Sequence, residues 1–281
     1  MMIMSVIFAN AVHTATPADL PRLRELFAHA NDTPYDLVQV AEEKCFGAGV
    51  SGEPVTTIFG DFLGASVTCG KYLRILAVHR EHRRLGIGTE LLRDAFSRGA
   101  RVAGAEAGNY FTPGVLLRSA GFFAKRGRKT AETQNLICST EGARCAPLPV
   151  RPVAAVHAVG AHSVRPRVLE FIKREFGNIW HFEASRTEAL HYIEHEGEIA
   201  GFAAHDANNK GLGFFGPTGV AKHLRGRGYG RQLLLASLAG MHERGYEHAI
   251  IAWTDALDFY AKACGATIHE RFATFLIDSA P

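Results

Sequence analysis

Hydrophobic and polar residues alternate in short runs in two parts of this chain, and each set of runs leads into a glycine-rich turn. In the first part, Val55–Phe59, Phe62–Thr68 and Leu73–Val78 read as strands, because β-branched and aromatic residues recur between turn formers. Gly60-Asp61 and Cys69-Gly70 separate them and predict hairpins. In the second part the strands are Ala189–His195, Glu198–His205 and Gly211–Gly216, divided by Glu196-Gly197 and Asn208-Asn209. The period then becomes helical. Leu91, Leu92 and Ala95 share one face of Thr89–Arg98; Leu233, Leu234, Leu238 and Met241 share one face of Arg231–Arg244. A further strand is expected at Val102–Ala105 and at His248–Trp253, followed by a short helix at Ser119–Lys125 and at Leu257–Lys262. Pro17–His29 and Arg165–Phe176 read as opening helices, the first with Thr16 as N-cap and Pro17 at its first position. Met4–Ala9 reads as an initial strand.

The two parts are copies of one pattern. Val78-His-Arg-Glu-His-Arg83-Arg-Leu-Gly86-Ile-Gly88-Thr-Glu-Leu91-Leu92 aligns with Val220-Ala-Lys-His-Leu-Arg225-Gly-Arg-Gly228-Tyr-Gly230-Arg-Gln-Leu233-Leu234. The offset from Val78 to Val220 is 142 residues, about half the chain of 281. Such a repeat predicts two similar domains in series. The stretch Thr140–Pro152, with its glycine and prolines and little periodicity, marks the boundary. Domains are therefore expected at 1–143 and 148–281.

A strand that runs into a glycine-rich turn and then a helix makes an anion site, since the first helical N–H groups lack partners and the helix dipole is positive there. Glycine adopts positive φ and lets a phosphate approach the backbone. Arg83 and Arg84, or Arg225, Arg227 and Arg231, add positive charge. A single G-x-G is a common turn, but two copies in the same strand–helix setting favour a pyrophosphate site. The first glycine of a dinucleotide-binding G-x-G-x-x-G is missing, hairpins rather than a βαβ unit precede the turn, and no Walker A pattern occurs.

Composition narrows the class. Hydrophobic residues at 47% and charged residues at 21% exclude a mainly disordered chain. A net charge of +3 is too small to indicate nucleic-acid binding. The five cysteines form no C-x-x-C, which fits reduced thiols and a cytoplasmic protein. The fourteen histidines form no compact metal motif. The apolar stretch Met1–Ala11 lacks the basic segment of a signal peptide, and no run reaches membrane-spanning length.

Val-x-x-x-x-Arg-x-x-Gly-x-Gly followed by x-x-Leu-Leu resembles motif A of the GNAT superfamily, the Gcn5-related N-acetyltransferases, whose core is (Gln/Arg)-x-x-Gly-x-(Gly/Ala). Arg83, Gly86 and Gly88 match it, as do Arg225, Gly228 and Gly230. In strand order the resemblance covers about residues 55–127 and 189–277. Arg80 and Lys222 stand where the family often has proline. The resemblance implies an α/β (α+β) fold of two tandem GNAT-like domains, each a mixed, mostly antiparallel, splayed sheet flanked by helices. It implies acetyl-CoA as co-substrate, direct transfer to a small-molecule or peptide amine, and no metal. Its pyrophosphate site would comprise Val78, Arg83, Arg84, Leu85, Gly86, Ile87, Gly88 and Thr89, and in the second copy Val220, Arg225, Gly226, Arg227, Gly228, Tyr229, Gly230 and Arg231. Asn109 would meet the pantetheine arm or serve as a turn asparagine.

The family protonates the departing thiolate with a tyrosine on the helix after the next strand. Tyr260 in Leu257-Asp-Phe-Tyr260-Ala-Lys-Ala-Cys-Gly265 matches that position, and a packed core tyrosine is the other reading. In the first copy Phe123 takes this place and has no proton to give, with Tyr110 and Thr112 nearby. The C-terminal site is therefore expected to be the active one, and the alternative is an acyl-CoA-binding module or sensor. His205, Asp206, Glu198 and Asp255 read as solvated surface groups rather than a base, Cys264 as a packing residue, and Trp180, His181 and Phe182 as packing.

Overall fold

The computed structural model describes residues 12–104, 106, 108–141, 150–153 and 164–279. The strand expected at Met4–Ala9 and the boundary expected at 143–148 lie outside them. The chain forms two compact units: the first is the chain to Thr133 with Arg271 onward, the second Gln134–Glu270.

The first unit contains β1 (Val12–Thr14), α1 (Leu20–Ala30), α2 (Ala41–Phe46), β2 (Val55–Phe59), β3 (Gly64–Cys69), β4 (Tyr72–Val78), α3 (Ile87–Ser97), β5 (Val102–Ala103), β6 (Val115–Leu116), α4 (Gly121–Ala124) and the start of β7 (Arg128–Ser139). The first turn of the predicted opening helix is a 3₁₀ turn at Pro17–Asp19, where the Thr16 N–H and hydroxyl donate to the Asp19 carboxylate. Strands β2, β3 and β4 form an antiparallel meander. Strand β4 then runs parallel to β5 for two residues only, Tyr72 beside Val102 and Leu73 beside Ala103. The register with β3 shifts at Arg74, since Thr68 faces Leu73 while Val67 faces Ile75. A bulge of this kind bends its strand, and from here β4 parts from β5.

The second unit repeats the plan with β8 (Val150–Val153), α5 (Arg165–Phe176), α6 (Asn178–Ser185), β9 (Ala189–His195), β10 (Glu198–His205), β11 (Phe214–Val220), α7 (Tyr229–Glu243), β12 (His248–Ile251), α8 (Leu257–Cys264) and β13 (Thr267–Leu276). Strand β11 pairs in parallel with β12 only at Phe214–Ile250 and Phe215–Ile251. Its register with β10 shifts between His205 and Ala203, which leaves Gly216 and Pro217 in the bulge. This corrects the expected strand Gly211–Gly216: two strand breakers sit at a bulge inside the strand rather than at its end. The end of β7 pairs with β12, from Leu136–Ile251 to Ser139–His248. From Arg271, by contrast, β13 belongs to the first unit, where Phe275 faces Ala103, Leu276 faces Val102 and Phe272 faces Leu116. Among the described residues no helix is long and apolar enough to cross a membrane.

Each unit packs its turn-following helix onto its sheet. Leu92 and Ala95 of α3 are fully buried with Leu73, Ala103 and Phe275, while Leu91 packs with Phe59 and Ile87. Leu233, Leu234, Leu238 and Met241 of α7 are fully buried with Val168, Ile172 and Phe202. Each such side chain stabilises by roughly 1.5–3 kcal/mol relative to exposure, so the turns heading these helices sit on well-anchored elements.

Two buried polar clusters accompany the cores. In the first unit, Arg74 and Glu106 form a two-pronged pair at 2.5 and 2.9 Å, and Arg74 Nη1 donates to the carbonyls of Lys44 and Gly47. A Cβ on Gly49 would lie 2.1 Å from Glu106 Oε1, so a larger residue there would displace the paired carboxylate. In the second unit, His191 of β9 and His205 of β10 lie 7% and 1% exposed beneath α7, ring centroids 6.0 Å apart. Gly240 of α7 lies against them, and a Cβ there would stand at ordinary contact distance from the two rings, 3.4 and 3.7 Å. His205 Nδ1 lies 3.1 Å from the Ser237 hydroxyl, while His191 Nδ1 and His205 Nε2 have no hydrogen-bond partner among the described residues. Burial first, then the charge of Arg244 (with His191 also acting on His205), pushes His191 down to about 4 and His205 to about 3.

Removing one partner of a buried ion pair leaves the other charge stranded. Glu106→Ala is therefore expected to cost ~3–5 kcal/mol in urea unfolding, and an unchanged midpoint would contradict the pair's role. The histidines set an acid limit. Their folded pKa values lie below the ordinary 6.5, so the unfolded chain binds more protons once the pH falls below that value. Stability should be fully present above pH ~6.5 and decline toward pH 4, by up to ~1.4 kcal/mol per pH unit per histidine. A His191→Gln/His205→Gln protein should show a flatter pH profile of its urea midpoint.

Candidate functional site

The two glycine turns share one backbone. In the first, Arg84 and Gly86 have φ of 68° and 90°; in the second, Gly226 and Gly228 have 81° and 82°. Left-handed residues at alternate positions curl the chain so that successive N–H groups face one side, ahead of the first helical turn. Gly86 and Gly228 are the N-caps of α3 and α7. The helices thus begin two residues earlier than their apolar periodicity indicates, because the second glycine of each motif already lies in the first turn.

An arginine holds each turn. Arg83 Nε donates to the Val78 carbonyl at 3.1 Å, and Arg225 Nε donates to the Val220 carbonyl at 3.2 Å. Arg83 goes further: Nη2 donates to the Ala30 carbonyl, and Nη1 pairs with Asp32. Three of its N–H donors thus hold the turn in place. Arg84, Arg225, Arg227 and Arg231 remain exposed, and Leu85 is 58% exposed at the crest of the first turn. Ile87 is buried. Tyr229 is pinned instead, its hydroxyl 2.9 Å from His195 Nδ1. Val78 and Val220 face the turns, each methyl lying 3.6 or 3.8 Å from where a Cβ of Gly88 or Gly230 would stand. Thr89 accepts from Arg126, whose guanidinium also lies over the Phe122 ring at 4.0 Å. Arg126 brings a cation to the head of α3. The sequence offers no signal for it beyond its place just past the short helix α4.

The short helices match in detail. Phe122 is the ring nearest Gly88, and Phe259 the ring nearest Gly230. Each is edge-on to the next residue, Phe122 to Phe123 at 5.1 Å and Phe259 to Tyr260 at 4.9 Å. Phe123 and Tyr260 therefore hold equivalent places, and both are buried. Tyr260 also meets Phe215, the last residue of β11 paired with β12, edge-on at 6.3 Å. Burial, then the nearby Cys264 and Cys138, pushes its phenol well above the usual tyrosine range. The proton thus stays on the phenol at neutral pH. The Cys264 thiol donates to the Tyr260 carbonyl at 3.2 Å.

Where β4 leaves β5, the first unit has a cleft of about 150 Å³. Its walls include Leu73–Ala77, Ala103, Gly104, Phe111, Thr112, Val115 and Phe123. Tyr110 does not line it. Two glycines build one wall: a Cβ on Gly104, whose φ is 86°, would lie 2.5 Å from the Gly114 Cα.

Other expected site residues lie elsewhere. Asn109 is fully buried; its amide donates to the carbonyls of Glu43, Gly47 and Ala48, and its Oδ1 accepts from Lys44. It locks the segment after α2, and its N–H groups are used there. His205 belongs to the buried pair beneath α7, which overturns its reading as a surface group. Asp206 accepts from the Tyr246 hydroxyl, and burial raises its pKa. Trp180 stacks on Phe176 at 5.0 Å within the core of the second unit.

Comparison with known proteins follows the same division. The model of the acetyltransferase (GNAT) family matches residues 13–127 and 162–266. Curated protein sequences offer no match. Among solved structures, a GCN5-related glucosamine N-acetyltransferase region of a fungal multi-domain GH3 beta-N-acetylglucosaminidase is 16% identical with a TM-score of 0.74. The alignment covers 95% of this chain but 38% of that one. A GCN5-related N-acetyltransferase from Sphaerobacter thermophilus is 18% identical, with a TM-score of 0.63 and 94% of each chain covered. A tandem GNAT protein from the clavulanic acid biosynthesis pathway is 16% identical, with a TM-score of 0.63 and 94% and 97% covered. At such identities the likeness is one of fold. The family match, over both glycine turns and most of the chain, decides the matter: this chain belongs to the acetyltransferase (GNAT) family, with two copies of the family's fold in series.

Proposed function

We propose that the chain is an acyl-CoA-dependent N-acetyltransferase that moves an acetyl group from acetyl-CoA to a small-molecule or peptide amine, with transfer in the second unit. The observation that carries this reading is the contrast between two matched sites. Both have the left-handed turn at the head of a helix and the strand pair that parts beyond two residues. Tyr260 stands in one and Phe123 in the other. The turns fit a pyrophosphate: the first N–H groups of each helix have no intrahelical partner, and nothing within 4 Å would meet a Cβ on Gly86 or Gly228. Arg84, Arg225, Arg227 and Arg231 supply charge, while Arg83 keeps the turn in shape.

In the second unit a neutral amine attacks the thioester carbonyl directly. A donor near the end of β11, the backbone N–H around Gly219–Val220, meets the oxyanion. Tyr260 gives its phenolic proton to the departing thiolate, and the proton shed by the amine nitrogen passes through water to restore the phenol. The described cysteines are free thiols, which suits a cytoplasmic protein. The first unit, with Phe123, supports the second reading for that unit alone: an acyl-CoA-binding module without turnover.

Tyr260→Phe should lower kcat by ~10²-fold or more while leaving the calorimetric affinity for acetyl-CoA unchanged; full activity would remove Tyr260 from the mechanism. Gly230→Glu and Gly88→Glu each place a carboxylate at one turn, in space where the nearest ring lies at ordinary contact distance. Calorimetry should show each variant losing one acetyl-CoA site, with turnover lost only for Gly230→Glu. Binding that survives in the double variant would sink the pyrophosphate assignment.

A further inference from the structure

The cleft of the first unit is chemically unlike a site for a charged acceptor. Two ionised residues line it, and both are already paired. Arg74 is held by Glu106 at 2.5 and 2.9 Å, and Asp32 by Arg83 at 3.0 Å. Neither is available as a base or as a counter-ion. The remaining polar groups of the wall are neutral, Asn31, Thr33, Thr112 and Ser119, and the Thr112 hydroxyl already donates to the Gly114 carbonyl. Leu37, Leu73, Ile75, Phe111, Leu116 and Phe123 make the rest apolar. The volume of about 150 Å³ matches that of an apolar cavity that admits benzene, a group of about six heavy atoms. An acetyl group is about half that size. The opposed glycines Gly104 and Gly114 keep the wall thin, and the bulge at Arg74 opens β4 from β5 at its floor.

We infer that the first unit is a non-transferring receptor for a neutral acyl group longer than acetyl, about four to six carbons, carried as a thioester whose pyrophosphate lies at Arg83–Thr89. This rests on the reading of that turn as a CoA site. Phe123 lines the cleft where Tyr260 stands in the second unit, so the site offers apolar surface in place of a proton. The two units would then differ in acyl chain as well as in chemistry.

The test uses the full chain carrying Gly230→Glu, so that only the first turn is loaded. CoA, acetyl-CoA, butyryl-CoA and hexanoyl-CoA are titrated by calorimetry, with n-hexanamide as a neutral probe that lacks CoA. The expected result is about tenfold tighter binding of butyryl-CoA than of acetyl-CoA, from two more buried methylenes. Ser119→Trp, on the exposed rim, and Val115→Phe, in the wall, should each erase that gain and leave the affinity for CoA unchanged. Equal binding of acetyl-, butyryl- and hexanoyl-CoA would overturn the inference while keeping the turn as a CoA site. A gain that persists in both filled variants would overturn it as well. Failure of CoA to bind would sink the reading of the turn and the thioester with it; saturable hexanamide binding that both filled variants abolish would still support the neutral cleft, and its absence would end it.

Discussion

One hydrogen bond recurs at the centre of each unit: an arginine Nε donating to the carbonyl of the valine five residues earlier. The turn it spans holds two left-handed residues, and in the first unit one of them is Arg84 rather than glycine. Such a conformation costs a non-glycine residue of the order of 1–3 kcal/mol and persists only where neighbours over-determine it. The arginine ties the turn to the strand end, and the helix that follows is anchored by leucines buried to completion. Release the clamp and the helix head, with its open N–H groups, loses its aim. The order of causes therefore runs from a strand terminus, through a side chain, to an anion-binding surface.

Around that frame the two units have diverged in kind. The second keeps its turn cations exposed and places a protonated phenol beside the parting strands. The first commits Arg83 to Asp32 and Ala30, puts Phe123 in the phenol's place, and invests three buried charged groups, Lys44, Arg74 and Glu106, with the half-buried Glu43, behind its cleft. Buried ion networks seldom add net stability over an apolar core, and their best-attested role is to specify one arrangement. Here the network fixes the segment after α2 against the sheet, through Lys44, Gly47 and Asn109. A wall fixed in this way defines a shaped cleft without presenting a free charge to it.

Much of this frame is legible in the sequence because it is local. The hairpins, the helix faces, the duplicated turn and the Tyr260–Phe123 contrast all depend on residues within one short stretch. What is hidden depends on partners far along the chain. Asn109 in its glycine-rich context reads as a turn residue until its bonds to carbonyls more than sixty residues earlier are seen. His205 alternates correctly for a strand, yet alternation does not reveal that the His191 imidazole lies beside it beneath α7. Arg126 has no motif. The strand around Phe272–Phe275 carries no mark of its neighbours, and the repeat suggested that each copy keeps its own.

That last strand has a consequence for the order of events during synthesis. The first unit's sheet is completed by residues from Arg271 onward, which pair with β5 and β6. On a ribosome that adds ~5–20 residues per second, the N-terminal domain usually folds first. Here the N-terminal residues have emerged long before the strand that covers their edge, and they wait on the order of ten seconds or more while the second unit is made. Through that interval the nascent chain carries an open sheet edge of the sort that invites mispairing. The short β5 and β6, two residues each, keep that edge small until its partner arrives.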